Sequence, residues 1–156
     1  MTEPERPLIY LDANPIIYFV EGAPDAFEPV HRLFDFLKER TGIAATSEIT
    51  IAEVLAPSKR PDALPPCMKR RPYFDLLVAA GFITLAPVER DILYETVALR
   101  EVTSLKLVDA IHLATAILLR CRYFVSRDTD YKRMPEGMLL ARPEATAMSE
   151  MISGLR

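Results

Sequence analysis

The sequence predicts an α/β domain built on a mainly parallel sheet of four to five strands, and two patterns carry that expectation. Short apolar runs at Leu8 to Leu11, Ile43 to Ala45, Phe82 to Leu85 and Tyr123 to Val125 recur along the chain, as strands covered on both faces do. Between them lie stretches with helical spacing of apolar residues, and strands alternating with helices assemble into parallel sheets. The 156 residues suffice for one core without disulfide or metal staples, so residues 1–156 are expected to form a single domain.

The first strand ends at Asp12, after which Asn14-Pro15 reads as an N-cap followed by the first helical residue, with Gly22 ending a short helix. Val30, Leu33, Phe34 and Leu37 repeat at intervals of three and four, predicting an amphipathic helix on the sheet that Gly42 closes before the second strand. Ser47 is placed to cap a helix carrying Glu53. Residues 57–72 are proline-rich and hold five cations, Lys59, Arg60, Lys69, Arg70 and Arg71, a pattern expected of a basic loop insertion or a connection between helices. Beyond the third strand, Pro87 precedes a helix striped by Val88, Ile92 and Leu99, and a longer helix is expected from about Leu107 to Arg120. Met138 to Ala141 is a candidate fifth strand at an edge, and residues 142–156 a terminal helix opened by Pro143.

Half of the residues are hydrophobic and 26% are charged, which argues against a disordered or fibrous chain. Cys67 and Cys121 have no CxxC or Cys/His companions, and His31 and His112 are the only histidines, so no zinc-ligand pattern is recognisable. The opening residues MTEPERP mix acids and prolines, unlike a signal peptide or a membrane span, and a reducing cytoplasm is the expected compartment. A net charge of −3 lacks the basic excess of most nucleic-acid binders. A site made of carboxylates lowers that total by itself, and the cations of 57–72 remain available to phosphates.

The acids carry the chemistry. Asp12 follows the apolar run Leu8-Ile9-Tyr10-Leu11, and Asp128 comes just after Tyr123-Phe124-Val125-Ser126, so both stand at strand carboxyl ends, where parallel sheets bind ligands. Glu53 and Asp109 are isolated acids within apolar runs, and an unpaired buried carboxylate is costly. Such groups are solvated, paired or bound to a cation, and several on one rim repel one another unless a cation neutralises them. Oxygen donors without histidine or thiolate suit Mg²⁺ or Mn²⁺. Each acid also has a plain structural reading, as a cap, a turn residue or a solvated face. Asp109 gains from a helix dipole without any metal, and Asp130 from the Asp-Thr-Asp turn. Ser126 and Asn14 are donors to the acids or caps, and His112 reads as a packing residue.

Four segments together resemble the PIN-domain family: Leu11-Asp12-Ala13-Asn14; Thr46-Ser47 leading to Glu53; Asp109-Ala110-Ile111-His112-Leu113-Ala114-Thr115-Ala116; and Ser126-Arg127-Asp128-Thr129-Asp130-Tyr131. The resemblance covers about residues 8–135. It implies a three-layer α/β/α sandwich and an acidic quartet of Asp12, Glu53, Asp109 and Asp128 binding Mg²⁺ or Mn²⁺, with Asp130 auxiliary. It further implies a ribonuclease of the VapC toxin type that cleaves single-stranded RNA with metal-activated water, forms a homodimer and is silenced by a VapB-type antitoxin. Ser126, Arg127 and Tyr131 depart from the commoner residues without removing a ligand. A PIN-like binding module without catalysis and a nuclease of RNA processing remain open alternatives. A phosphatase of the haloacid-dehalogenase type needs a second acid where Asn14 stands.

Overall fold

The computed structural model describes residues 7–156; the reading of the opening segment as neither leader nor span falls largely outside them. Five strands form the sheet: β1 (Ile9–Leu11), β2 (Ala44–Ser47), β3 (Ile83–Ala86), β4 (Tyr123–Val125) and β5 (Leu139–Ala141). Their order is β3-β2-β1-β4-β5, and every pairing is parallel, with Ile9 set between Ala44 and Tyr123. The expected fifth strand is therefore present, at an edge.

Among the described residues seven α-helices connect and cover the strands: α1 (Ala13–Glu21), α2 (Phe27–Glu39), α3 (Ile49–Leu55), α4 (Pro66–Phe74), α5 (Arg90–Val102), α6 (Leu107–Leu118) and α7 (Ala145–Gly154). Alternation along β1 divides the core. Ile9 and Leu11 face a large apolar layer with Ile16, Leu33, Phe34 and Met148 from α1, α2 and α7, whereas Tyr10 and Phe124 face Ala110, Leu113 and Ala116 of α6. These are the three layers of an α/β/α sandwich.

Several local expectations need correction. The N-cap of α1 is Asp12 and not Asn14: Asp12 accepts the Ala13 amide at 2.9 Å, so helix α1 starts one residue behind β1. Gly22 does end α1, with a φ of 87° that favours glycine. The 57–72 segment is a loop only in its first half; from Pro66 it is α4, which runs into a single π-helical turn at Asp75–Ala79. Proline at a helix start costs no hydrogen bond. Lys69, expected among the accessible cations, is buried and donates to the Ala56 carbonyl at 3.0 Å beside Glu21. The terminal helix begins at Ala145, behind Glu144, and not at Pro143. Among the described residues no helix is long and apolar enough to cross a membrane.

Candidate active site

The strand order reverses direction between β1 and β4. At such a point successive crossovers leave in opposite directions and open a crevice at the strand carboxyl ends. Asp12 lies at the end of β1, Ser126 to Asp130 follow β4, and Asp109 sits in the first turn of α6. Glu53 comes from α3, whose first amide, that of Ile49, donates to Ser47 Oγ at 3.2 Å.

Asp12 is only 4% exposed. Its Oδ1 takes the Ala13 amide, while Ser126 Oγ donates to its Oδ2 at 2.7 Å and Asn14 Nδ2 at 3.4 Å. Asn14 also reaches Ser126 Oγ and accepts the Arg127 amide at 2.9 Å, tying α1 to the loop behind β4. In that loop the Asp128 amide donates to Ser126 Oγ and the Asp130 amide to Asp128 Oδ1. Arg142, which the sequence did not suggest, donates to the carbonyls of Asp128 and Ser126 at 2.6 and 3.4 Å. The result is a loop whose acids are held by backbone and neutral donors, leaving carboxylate oxygens free to face outward.

One carboxylate oxygen each from Asp109, Asp128 and Asp130 lies within 4.8 Å of the others. Asp130, expected to be auxiliary, stands in this cluster with Asp109 and Asp128. Glu53 is placed differently: its Oε2 pairs with His112 Nε2 at 2.5 Å, and the same nitrogen is 3.5 Å from Asp12 Oδ1. His112 is fully buried, and its Nδ1 meets Tyr10 Oη at 2.7 Å. The plain packing reading of this histidine is accordingly incomplete. Its spacing from Asp109 put it on the right face of α6, but its partners stand 59 and 102 residues away.

The electrostatics show crowding. Burial, followed by the charges of Asp128 and Asp12, pushes the Asp109 carboxyl up to about 6. Burial also raises Asp12, with the charge of Glu53 adding to it against the help of His112, Ser126 and the Ala13 amide. For His112 burial alone favours the neutral ring, yet the Glu53 hydrogen bond and the charges of Asp12, Glu53 and Asp109 raise its pKa above the ordinary value.

Among known proteins, the PIN-domain family model matches residues 9–137. The chain belongs to the PIN-domain family. That match spans β1 to the turn before β5 and includes all five acids. Solved structures agree. The PIN domain superposes on a chain of a toxin-antitoxin complex from Klebsiella pneumoniae with a TM-score of 0.63 and 27% identity, covering 88% of this chain and 99% of that one. It has the fold of a chain of VapBC2 from Rickettsia felis bound to a promoter DNA fragment (TM-score 0.59, 20% identity, 86% and 98% covered). The same holds for FitAcB from Neisseria gonorrhoeae (TM-score 0.57, 20% identity, 78% and 88% covered). No curated protein matches the sequence. PIN domains are in general nucleases, and the Klebsiella pneumoniae relative is a chain of a toxin-antitoxin complex.

Proposed function

We propose that this PIN domain is a Mg²⁺- or Mn²⁺-dependent endoribonuclease that cleaves single-stranded RNA and serves as the toxin of a VapBC-type pair. The observation that carries the reading is the convergence of Asp109, Asp128 and Asp130 within 4.8 Å, beside the buried Asp12, at the β1/β4 crevice. The donor set is all oxygen, which fits a hard divalent cation and suits zinc poorly. Asp12, Glu53, Asp109 and Asp128 would hold the ion, with Asp130 joining them. When bound, the cation would supply Lewis acidity toward a phosphodiester and acidify a coordinated water.

The chain's own groups do the rest. Ser126 and Asn14 fix the Asp12 carboxylate, and Arg142 fixes the loop that presents Asp128 and Asp130. Such donors hold the acids in place before substrate arrives, so little reorganisation remains for the chemical step. A VapB-type antitoxin is the proposed regulator, supported by the Klebsiella pneumoniae relative. An apolar groove of about 500 Å³, lined by Ile51, Leu55, Phe74 and Val78 and edged by Arg70 and Arg71, offers such a partner a surface. The exposed Leu93, Tyr94, Val97 and Val102 of α5 support a homodimer. RNA and antitoxin would both be met in the cytoplasm.

The test is cleavage of a labelled RNA panel by purified protein with EDTA, Mg²⁺ or Mn²⁺. Cleavage is expected with either metal and not with EDTA. Asp12→Asn and Asp109→Asn are each expected to lower it by at least about 100-fold, the scale of losing a group that stabilises developing charge, while circular dichroism shows them folded. RNA left intact under every metal, together with Mn²⁺ binding no tighter in wild type than in the variants, would instead make the chain a binding module.

A further inference from the structure

Glu53 is a flexible side chain, 29% exposed, on the seven-residue helix α3, and nothing on its own helix aims it at the crevice. Its direction comes from across the molecule. The Ser47 amide of β2 donates to Tyr10 Oη of β1 at 3.0 Å, Tyr10 Oη meets His112 Nδ1 of α6 at 2.7 Å, and His112 Nε2 meets Glu53 Oε2. With the Ser47 amide occupying the phenol oxygen, the phenol proton is free to point at Nδ1, which leaves the ring hydrogen on Nε2 for Glu53. A protonated ring would donate from Nδ1 to the phenol oxygen instead, and Nε2–H would still reach Glu53, so the hold on Glu53 is the same in either protonation state. Tyr10 and His112 are both fully buried and meet edge to face with ring centroids 5.8 Å apart, so the ring cannot turn without disturbing the core.

We infer that His112, oriented by Tyr10, is a positioning residue that fixes the Glu53 carboxylate next to Asp12. It thereby sets the affinity of the crevice for a divalent cation. The inference rests on the nuclease reading only in that the acids bind such an ion. By holding one oxygen of Glu53, His112 selects which oxygen faces the crevice and keeps two mutually repelling carboxylates at a fixed separation. Partners of this kind orient metal-binding carboxylates, and removing them typically weakens binding by about 10- to 100-fold.

The experiment is calorimetric titration of Mn²⁺ into the intact chain, for wild type, His112→Ala, His112→Gln, Glu53→Gln and the Glu53→Gln/His112→Ala double variant. His112→Ala is expected to weaken binding about 10- to 100-fold. His112→Gln, whose amide nitrogen can stand near the lost Nε2, is expected to bind closer to wild type than to His112→Ala. In the Glu53→Gln background, His112→Ala is expected to add at most about a threefold loss, because the coupling it reports is already gone. The inference is overturned by wild-type affinity in His112→Ala, by His112→Gln binding no better than His112→Ala, or by equal losses in both backgrounds, which mark a packing role. Should His112→Ala fail to fold, Tyr10→Phe, which removes only the orienting hydroxyl, takes its place in the same comparison. A wild type that binds no Mn²⁺ shows itself before any variant is compared; it removes the nuclease reading and this inference with it.

Discussion

Asp109 and His112 both bind protons more tightly in the folded protein than in the unfolded chain, for opposite chemical reasons. Asp109 titrates near 6 instead of in the ordinary carboxylate range because its ionised form is buried beside Asp128 and Asp12, so folding is opposed by its charge. His112 is raised because its charged form has Glu53 and Asp12 as partners. For either group, stability is present at low pH and is lost as pH rises: through about 6 for Asp109 and above the ordinary histidine value for His112. The metal-free protein is therefore expected to unfold at higher urea at pH 5 than at pH 8. Asp109→Asn is expected to flatten that dependence and to stabilise the EDTA-treated protein at pH 8 by about 1 kcal/mol, a figure reduced for the openness of the site. A urea midpoint for the variant at or below that of wild type at pH 8 would contradict this. The sequence made Asp12, Asp109 and Asp128 legible because each interrupts or ends an apolar run. It could not reveal the role of His112, which depends on contacts to Tyr10 and Glu53 that only the folded chain creates.

Helix α4 is fastened to the end of α1 by a buried polar knot. Glu21 accepts from Tyr73 Oη and, at 2.8 Å, from the Leu64 amide, and Lys69 Nζ lies 3.8 Å away. The side chains of Lys69 and Glu21 are 3% and 2% exposed, so neither can fall back on water. Lys69→Ala is expected to cost about 3 kcal/mol in chemical unfolding, since it leaves a buried acid without its counter-charge. The Lys69→Met/Glu21→Gln pair is expected to recover most of that loss. The strands were readable in advance because a sheet covered on both faces needs unbroken apolar runs. Helix α4 was not: Pro65, Pro66 and Pro72 read as helix breakers, yet the first two stand at the helix start and the last lies just ahead of the widened turn at Asp75–Ala79. The cap of α1 was misplaced for a related reason, because Asp12 serves both as cap and as a member of the acidic site.

Across the whole molecule, the central strand β1 has its partners on either side far apart in the sequence: β2 begins at residue 44 and β4 at residue 123. Ser126, which holds Asp12, is 114 residues beyond it. A chain stopped after Arg120 would keep β1, β2 and β3 but would expose the flank of β1 that β4 covers, along with the apolar faces that Met148 and Met151 fill. Such a fragment is expected to show no cooperative thermal unfolding by calorimetry and no Mn²⁺ binding. A sharp transition would mean that the first three strands form a folding unit of their own. The same topology governs the order of events on the ribosome. Synthesis delivers Asp12 114 residues ahead of Ser126, with Asp128 and Asp130 later still. The acidic crevice therefore has no partly built version on a nascent chain: its acids come together only once the strands beyond Arg120 have docked.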